Sequence, residues 1–184
     1  MGLVFDGLDR AVQRAFTRPI PKSAGAQMRY LVKQLKGTRA VATTLGISQR
    51  TVERYAKDQI RRPRPDLAQR LADAVRARWQ PRIREQARRQ AATTTGLMID
   101  IRARFGFTAA PGSTDDARLR HLTLALPPHH AARLFQAQET GATEEQLREI
   151  AAEALGEVYF RGSGRRAHGL EVEFTDVEQL EFDL

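Results

Sequence analysis

The chain has no cysteine among its 184 residues, which excludes a disulfide framework and any thiolate-ligated metal site. That suits a reducing cytoplasm. Aromatic residues are scarce at 7%, with a single tryptophan, so a core must be built mainly from aliphatic side chains. No run approaches the ~18 apolar residues of a membrane span. The opening Met-Gly-Leu-Val-Phe-Asp-Gly-Leu-Asp-Arg places acids where a secretory signal needs basic residues, and Asp6 stands where an N-myristoylation motif needs Ser or Thr. A cytoplasmic protein without a membrane partner is the expectation.

Catalytic grammar is also missing. The sequence has no phosphate-gripping glycine loop, no nucleophile elbow and no polymerase-like set of acids, and it shows neither an internal repeat nor a low-complexity tract. Its four histidines are His121, His129, His130 and His168. Adjacent residues on a helix point to different sides, so the His129-His130 pair predicts no metal site.

Positive charge is plentiful and unevenly placed. Residues 1–95 carry 21 Lys and Arg against 7 Asp and Glu, a net of +14, whereas residues 96–184 carry 9 against 15, a net of −6. A basic half joined to an acidic half implies two jobs, with neutralisation of a polyanion assigned to the first.

Residues 38–57 supply a reason for that charge. Two short helices packed steeply need a small residue at their crossing, a turn residue tolerating positive φ, and apolar residues on the facing sides. Ala42, Gly46, and the set Val41, Leu45, Ile47, Val52 and Tyr55 fill those slots, and Ser48 is a good N-cap for the second helix. The pattern reads as a helix-turn-helix. Gln49, Arg50, Thr51, Glu53, Arg54 and Lys57 then share the outer face and first turn, where a recognition helix meets base edges. The plain alternative is an αα-hairpin buried in a core.

The rest of residues 1–95 reads as helical. Leu8, Val12 and Phe16 recur every four residues until Ile20-Pro21, and Met28, Leu31, Val32 and Leu35 mark a second helix ending at Gly37. Beyond the helix-turn-helix, Ile60-Arg61-Arg62-Pro63-Arg64-Pro65 forbids regular helix. Its Arg61, Arg62 and Arg64 suit DNA backbone or minor-groove contact, or equally a solvated turn. Leu67, Leu71, Val75, Trp79 and Ile83 predict a core-facing helix that Pro81 divides; Arg82, Arg84, Arg88 and Arg89 follow, to lie along DNA or face water.

Ala91–Gly96 is the expected junction. Alternation over Leu97–Phe105 and Leu119–Leu126 predicts two strands separated by a loop from Phe107 to Asp116. Ser113-Thr114-Asp115-Asp116 has the grammar of a helix N-terminus, a hydroxyl cap followed by acids. Helices over about Pro128–Glu139 and Glu144–Tyr159 and one or two strands in Gly169–Leu184 complete a β-β-α-α-β order. The fold class expected is α+β: a mainly helical DNA-binding domain over 1–95 and a small α/β domain over 96–184.

The segments GLDRAVQRAFTRPIPKSAGAQMRYLVKQLKGTRAVATTLGISQRTVERY, RFGFTAAPGSTDDARLRHLTLALPP and REIAAEALGEVYF resemble the telomere terminal proteins of Streptomyces-type linear chromosomes and plasmids. The resemblance runs in order over nearly the whole chain. It implies a protein covalently attached to 5′ DNA ends that primes synthesis of the recessed strand, with no catalysis of its own. Its acceptor would be a threonine hydroxyl; the matching residue is Thr114, with Ser113 the neighbouring choice and Thr108 in the same loop. The divalent metal and deoxynucleotide would come with a partner DNA polymerase. Telomeric DNA, as duplex or single-stranded overhang, a telomere-associated recruiting protein and a possible homodimer complete the implied partners, at the bacterial nucleoid. Tyr30, Tyr55 and Tyr159 are chemically possible acceptors but fall in predicted helices as packing residues. Two other classes remain on the residues alone: a helix-turn-helix transcriptional regulator with a C-terminal dimerisation domain, and a tyrosine recombinase, for which no Arg/His cluster is visible.

Overall fold

The structure, a computed structural model, describes residues 2–108, 114–160 and 171–184, with side-chain surroundings at 2–104, 119–159 and 176–184. It is mixed α and β. In chain order the elements are α1 (Leu3–Arg14), α2 (Ala24–Gln34), α3 (Thr38–Leu45), α4 (Gln49–Ala56), α5 (Pro65–Arg78), α6 (Pro81–Gln90), β1 (Leu97–Thr108), β2 (Thr114–Leu126), α7 (Pro128–Glu139), α8 (Glu144–Leu155) and β3 (Glu171–Asp183). A π-helical turn follows α6 (Ala91–Thr95) and another follows α8 (Gly156–Phe160).

Two compact units divide these elements: residues 17–81, and residues 1–16 together with 82–184. The first is inserted in the sequence of the second, and they are called here the inserted and host units. This division differs from a cut at 95/96. α1 carries the expected apolar stripe, but its Val4, Leu8, Ala11 and Val12 are buried in the core that holds the sheet.

In the inserted unit, α2 to α5 enclose a core of Met28, Leu31, Val41, Leu45, Val52, Tyr55, Leu67, Leu71 and Val75. The turn between α3 and α4 forms because Gly46 sits at φ +61, a left-handed conformation that costs glycine nothing. The Ile47 N–H then reaches back to the Ala42 carbonyl at 3.0 Å. Ser48 caps α4 by accepting from the Thr51 N–H at 3.2 Å. The ends of the unit are fastened together: the Trp79 indole N–H donates to the Arg18 carbonyl at 3.1 Å, and the Thr17 N–H donates to Gln80 Oε1 at 3.0 Å. Trp79 also packs on Tyr30, ring centroids 4.6 Å apart.

The host unit is built on a three-stranded antiparallel sheet in the order β2-β1-β3. Leu97, Ile99, Ile101 and Ala103 alternate inward from the central strand and are buried with Leu122, Leu126, Leu180 and Phe182 of its neighbours. Period-2 alternation requires the opposite face to carry the intervening residues, and Met98, Arg102, Arg104, His121 and Thr123 are indeed exposed. α1, α7 and α8 bury the apolar face. Glu144, the first residue of α8, caps α1 from a distance in sequence, its carboxylate accepting from the Val4 and Phe5 N–H groups at 2.8 and 3.2 Å.

Two expectations are corrected. The domain junction expected at Ala91–Gly96 lies inside the host unit: Ala91–Thr95 is a π-turn packed against α7, with Ala91 and Gly96 buried and Thr93, Thr94 and Thr95 exposed. Gly96 has φ +75, and a Cβ there would lie 2.1 Å from the Leu126 carbonyl oxygen, so the turn into β1 is fixed by close backbone approach. Secondly, Thr114-Asp115-Asp116 begins a strand, not a helix. The cap grammar loses to ladder pairing, because β1 runs on to Thr108 and its backbone groups there need partners.

Candidate nucleic-acid interface

The insertion sharpens the charge asymmetry. Residues 17–81 hold 15 Lys and Arg against 4 Asp and Glu, a net of +11, leaving −3 for the host unit. The four acids are already engaged. Asp58 pairs with Arg29 at 2.7 Å, Asp66 with Arg70 at 3.2 Å and Asp73 with Arg76 at 2.7 Å, while Glu53 accepts from the Gln49 amide at 3.0 Å. Among the described residues, no ion pair involves Arg50, Arg54, Lys57, Arg61, Arg62 or Arg64, and all six are exposed.

Their placement follows from local structure. On α4, Val52 and Tyr55 are buried at 0% and 4% exposure, so the helical period sends Arg50, Arg54 and Lys57, at i, i+4 and i+7, to the opposite side. Gln49 lies beside them and is held by Glu53. Thr51 is half-buried and spent on the cap, its hydroxyl 2.8 Å from Ser48 Oγ. Glu53, also expected on the outer face, is half-buried as well. α4 stops where Asp58 turns left-handed at φ +56, and the Gln59 N–H closes on the Arg54 carbonyl at 2.9 Å. Arg29 locks this end, its guanidinium donating to the Ala56 carbonyl at 2.8 Å and to Asp58.

The arginines beyond α4 are presented differently. Arg62 and Arg64 each precede a proline, which disfavours helical backbone, and Arg64 is extended at φ −63, ψ 153. Ile60 packs on the core of the unit. Arg61, Arg62 and Arg64 are thus exposed on a non-helical segment between Ile60 and Leu67, both packed in the core of the unit. The sequence reading did not single out Arg39. It is exposed at the second residue of α3, whose N-terminus has no side-chain cap. A cation at the positive end of a helix is unfavourable by itself, and that mismatch was visible in the sequence as Gly37-Thr38-Arg39.

In the second basic run, Arg82–Arg89, Arg82 and Arg89 are exposed while the other two arginines are bonded within the host unit. Arg84 pairs with Asp9 at 2.9 Å and lies 5.8 Å from the Phe16 ring centroid. Arg88 pairs with Glu139 at 2.6 Å, donates to the buried Gln138 at 2.8 Å and stacks 5.4 Å from the Phe135 centroid. These two arginines fasten α6 to α1 and α7.

Thr114 is the first residue of β2, its backbone paired with Thr108 at the end of β1. Their side chains and the whole of Ser113 lie outside the described residues, as do residues 109–112. Of the tyrosines, Tyr30 and Tyr55 pack in the core of the inserted unit, and burial raises the phenol pKa of Tyr30. Tyr159 is exposed at 40% in the second π-turn, which departs from a purely packing role.

One polar network marks the open sheet face. Asp100 accepts from the Thr123 hydroxyl at 2.6 Å and approaches His121 Nε2 at 3.1 Å. Those hydrogen bonds, Thr123 first, hold its carboxyl below the usual range. No protein family, curated protein or solved structure matches the chain.

Proposed function

We propose that this chain is a telomere terminal protein: its inserted unit binds the ends of a linear replicon, and the Thr114 hydroxyl accepts the first nucleotide laid down there. The observation that supports DNA binding is the set of six exposed, unpaired cations on α4 and the segment after it. A fold that engages all four acids of a unit and leaves these cations without partners has positive charge to spend on phosphates. α3, the Gly46 turn and α4 then act as a helix-turn-helix, with Arg50, Arg54, Lys57 and Gln49 toward the major groove and Arg61, Arg62 and Arg64 along the backbone or minor groove.

The priming role rests on the resemblance and on the position of Thr114. In the proposed step the Thr114 oxygen bonds to the α-phosphorus of a deoxynucleoside triphosphate, the bond from that phosphorus to the bridging oxygen breaks, and pyrophosphate leaves. The hydroxyl proton passes to a base of the polymerase, which also brings the divalent metal that neutralises the transferring group. The chain itself supplies an acceptor held near its template. Thr114 begins a paired strand at one end of the sheet, a better-defined position than a free loop offers.

The test is nucleotide labelling in a replication-competent extract, with wild type, Thr114→Ala and Ser113→Ala compared after denaturation. Loss of covalent label in a folded, DNA-binding Thr114→Ala supports the reading. Loss only in Ser113→Ala moves the acceptor by one residue, and label retained in both removes this segment as the site. A helix-turn-helix regulator, by contrast, would release all DNA in denaturant.

A further inference from the structure

The His129-His130 pair, expected to diverge, converges on one carboxylate. α7 is entered through Pro127-Pro128, and its first turn carries both histidines. Glu157 comes from the π-turn after α8, a register change that re-aims side chains relative to the helix before it. His130 Nε2 lies 3.3 Å from Glu157 Oε2 and His129 Nε2 lies 3.9 Å from Glu157 Oε1. One ligand atom from each of the three residues falls within 4.8 Å of the other two.

His130 is the telling member. It is 0% exposed, and among the described residues neither ring nitrogen makes a hydrogen bond; the approach to Glu157 is close but lacks hydrogen-bond geometry. Buried polar atoms nearly always have partners. Arg133 and Glu153, which also act electrostatically on His130, are hydrogen-bonded to each other.

We infer that His129, His130 and Glu157 bind one divalent transition-metal ion of the Zn2+ class, clasping the start of α7 to the π-turn that closes α8. Two imidazoles and a carboxylate suit such an ion. At metal–ligand distances of about 2.0–2.1 Å, tetrahedral neighbours stand roughly 3.3 Å apart, so the His130–Glu157 separation already fits. The exposed His129 and half-exposed Glu157 need only small rotations to close the rest. His130 then ligates through Nε2, and Nδ1 carries the proton of that tautomer. A fourth position stays open to water on the exposed side.

The test uses the full chain without a polyhistidine tag, stripped with a chelator. Zn2+ is titrated by calorimetry and Co2+ by visible absorption. The expected result is one ion per chain, Co2+ d–d bands of a four-coordinate nitrogen–oxygen site, and a raised Tm with Zn2+. Glu157→Gln and His129→Ala, both away from the core, should each weaken binding at least tenfold, while His121→Ala and His168→Ala should leave it unchanged. Absence of saturable one-to-one binding overturns the inference. So does binding insensitive to Glu157→Gln and His129→Ala, or binding lost instead with His121→Ala or His168→Ala.

Discussion

Two arginine-rich stretches about twenty residues apart, Arg50–Arg64 and Arg82–Arg89, look alike in the sequence and differ in the structure. In the first, the cations are exposed and the acids around them are engaged elsewhere. In the second, Arg84 and Arg88 are 15% and 16% exposed and bonded to Asp9 and Glu139. The difference teaches that local charge density is a poor guide to binding. What matters is whether the fold has already neutralised the charge, and only tertiary structure brings Asp9 or Glu139 within reach.

The strongest way to break that comparison is to move both clusters to neutral residues. Replacing Arg50, Arg54 and Lys57 with Ala should lower DNA affinity by roughly a hundredfold or more at low salt and flatten the log–log salt dependence by about 0.9 per lost phosphate contact. Melting temperature should change little. Arg50→Ala alone should cost roughly 1–3 kcal/mol on a preferred site if it reads a base edge, and less on random duplex. Fluorescence anisotropy across a salt series measures both.

Arg88→Ala should do the reverse. It takes the donor from Oε1 of buried Gln138 and removes the stacking on Phe135, costing about 2 kcal/mol of host-unit stability while leaving DNA affinity intact. Equal losses of affinity from the two variants would dissolve the contrast. A fragment spanning residues 17–81 sharpens it further: it should fold alone and keep the salt-dependent binding, which circular dichroism and anisotropy would show.

Gly46→Ala is smaller in effect. The nearest atom to a new Cβ is Arg70 Nη1 at 3.5 Å, an ordinary contact, so the cost is backbone strain of about 1 kcal/mol. It should lower the Tm of the inserted unit. The least effect is expected at Asp100. Its folded-state pKa is depressed, so its contribution is present above the unfolded value of 3.8 and lost as pH falls through the folded one. Asp100→Asn should therefore lower stability slightly at neutral pH, where the contribution is fully present, and reduce the acid-side slope of stability below about pH 4, as acid-titrated unfolding would reveal.

Much of the fold was legible where local signals agree with tertiary packing. α7 runs from Pro128 to Glu139 as its proline start and apolar spacing indicate, and α8 begins at a capping box of Thr143 and Gln146. Gly46 and Ser48 likewise set the turn before α4. What failed needed distant partners. Thr114-Asp115-Asp116 carries helix-start residues, yet β1 imposes a strand. The stripe of α1 says that it packs, but not that it packs on β3, and nothing local announces Glu144 as the cap of α1. On α4 the exposure of Arg50, Arg54 and Lys57 follows from the apolar spacing of Val52 and Tyr55, while the use of the Thr51 hydroxyl beside Ser48 does not. The convergence of His129 and His130 depends on a π-turn with no sequence signature.

The fastening of Thr17 and Arg18 to Trp79 and Gln80 has a consequence for synthesis on the ribosome. The inserted unit has every residue of its core once the chain has passed Pro81, and can close at once. α1, made before it, must wait for β3, whose Leu180 and Phe182 are translated only after both other strands. Until then β1 has one open edge and α1 has no sheet to cover. Non-local pairing of this kind folds slowly, so the nascent chain passes through a state in which a finished helical bundle is carried between two halves of an unfinished domain.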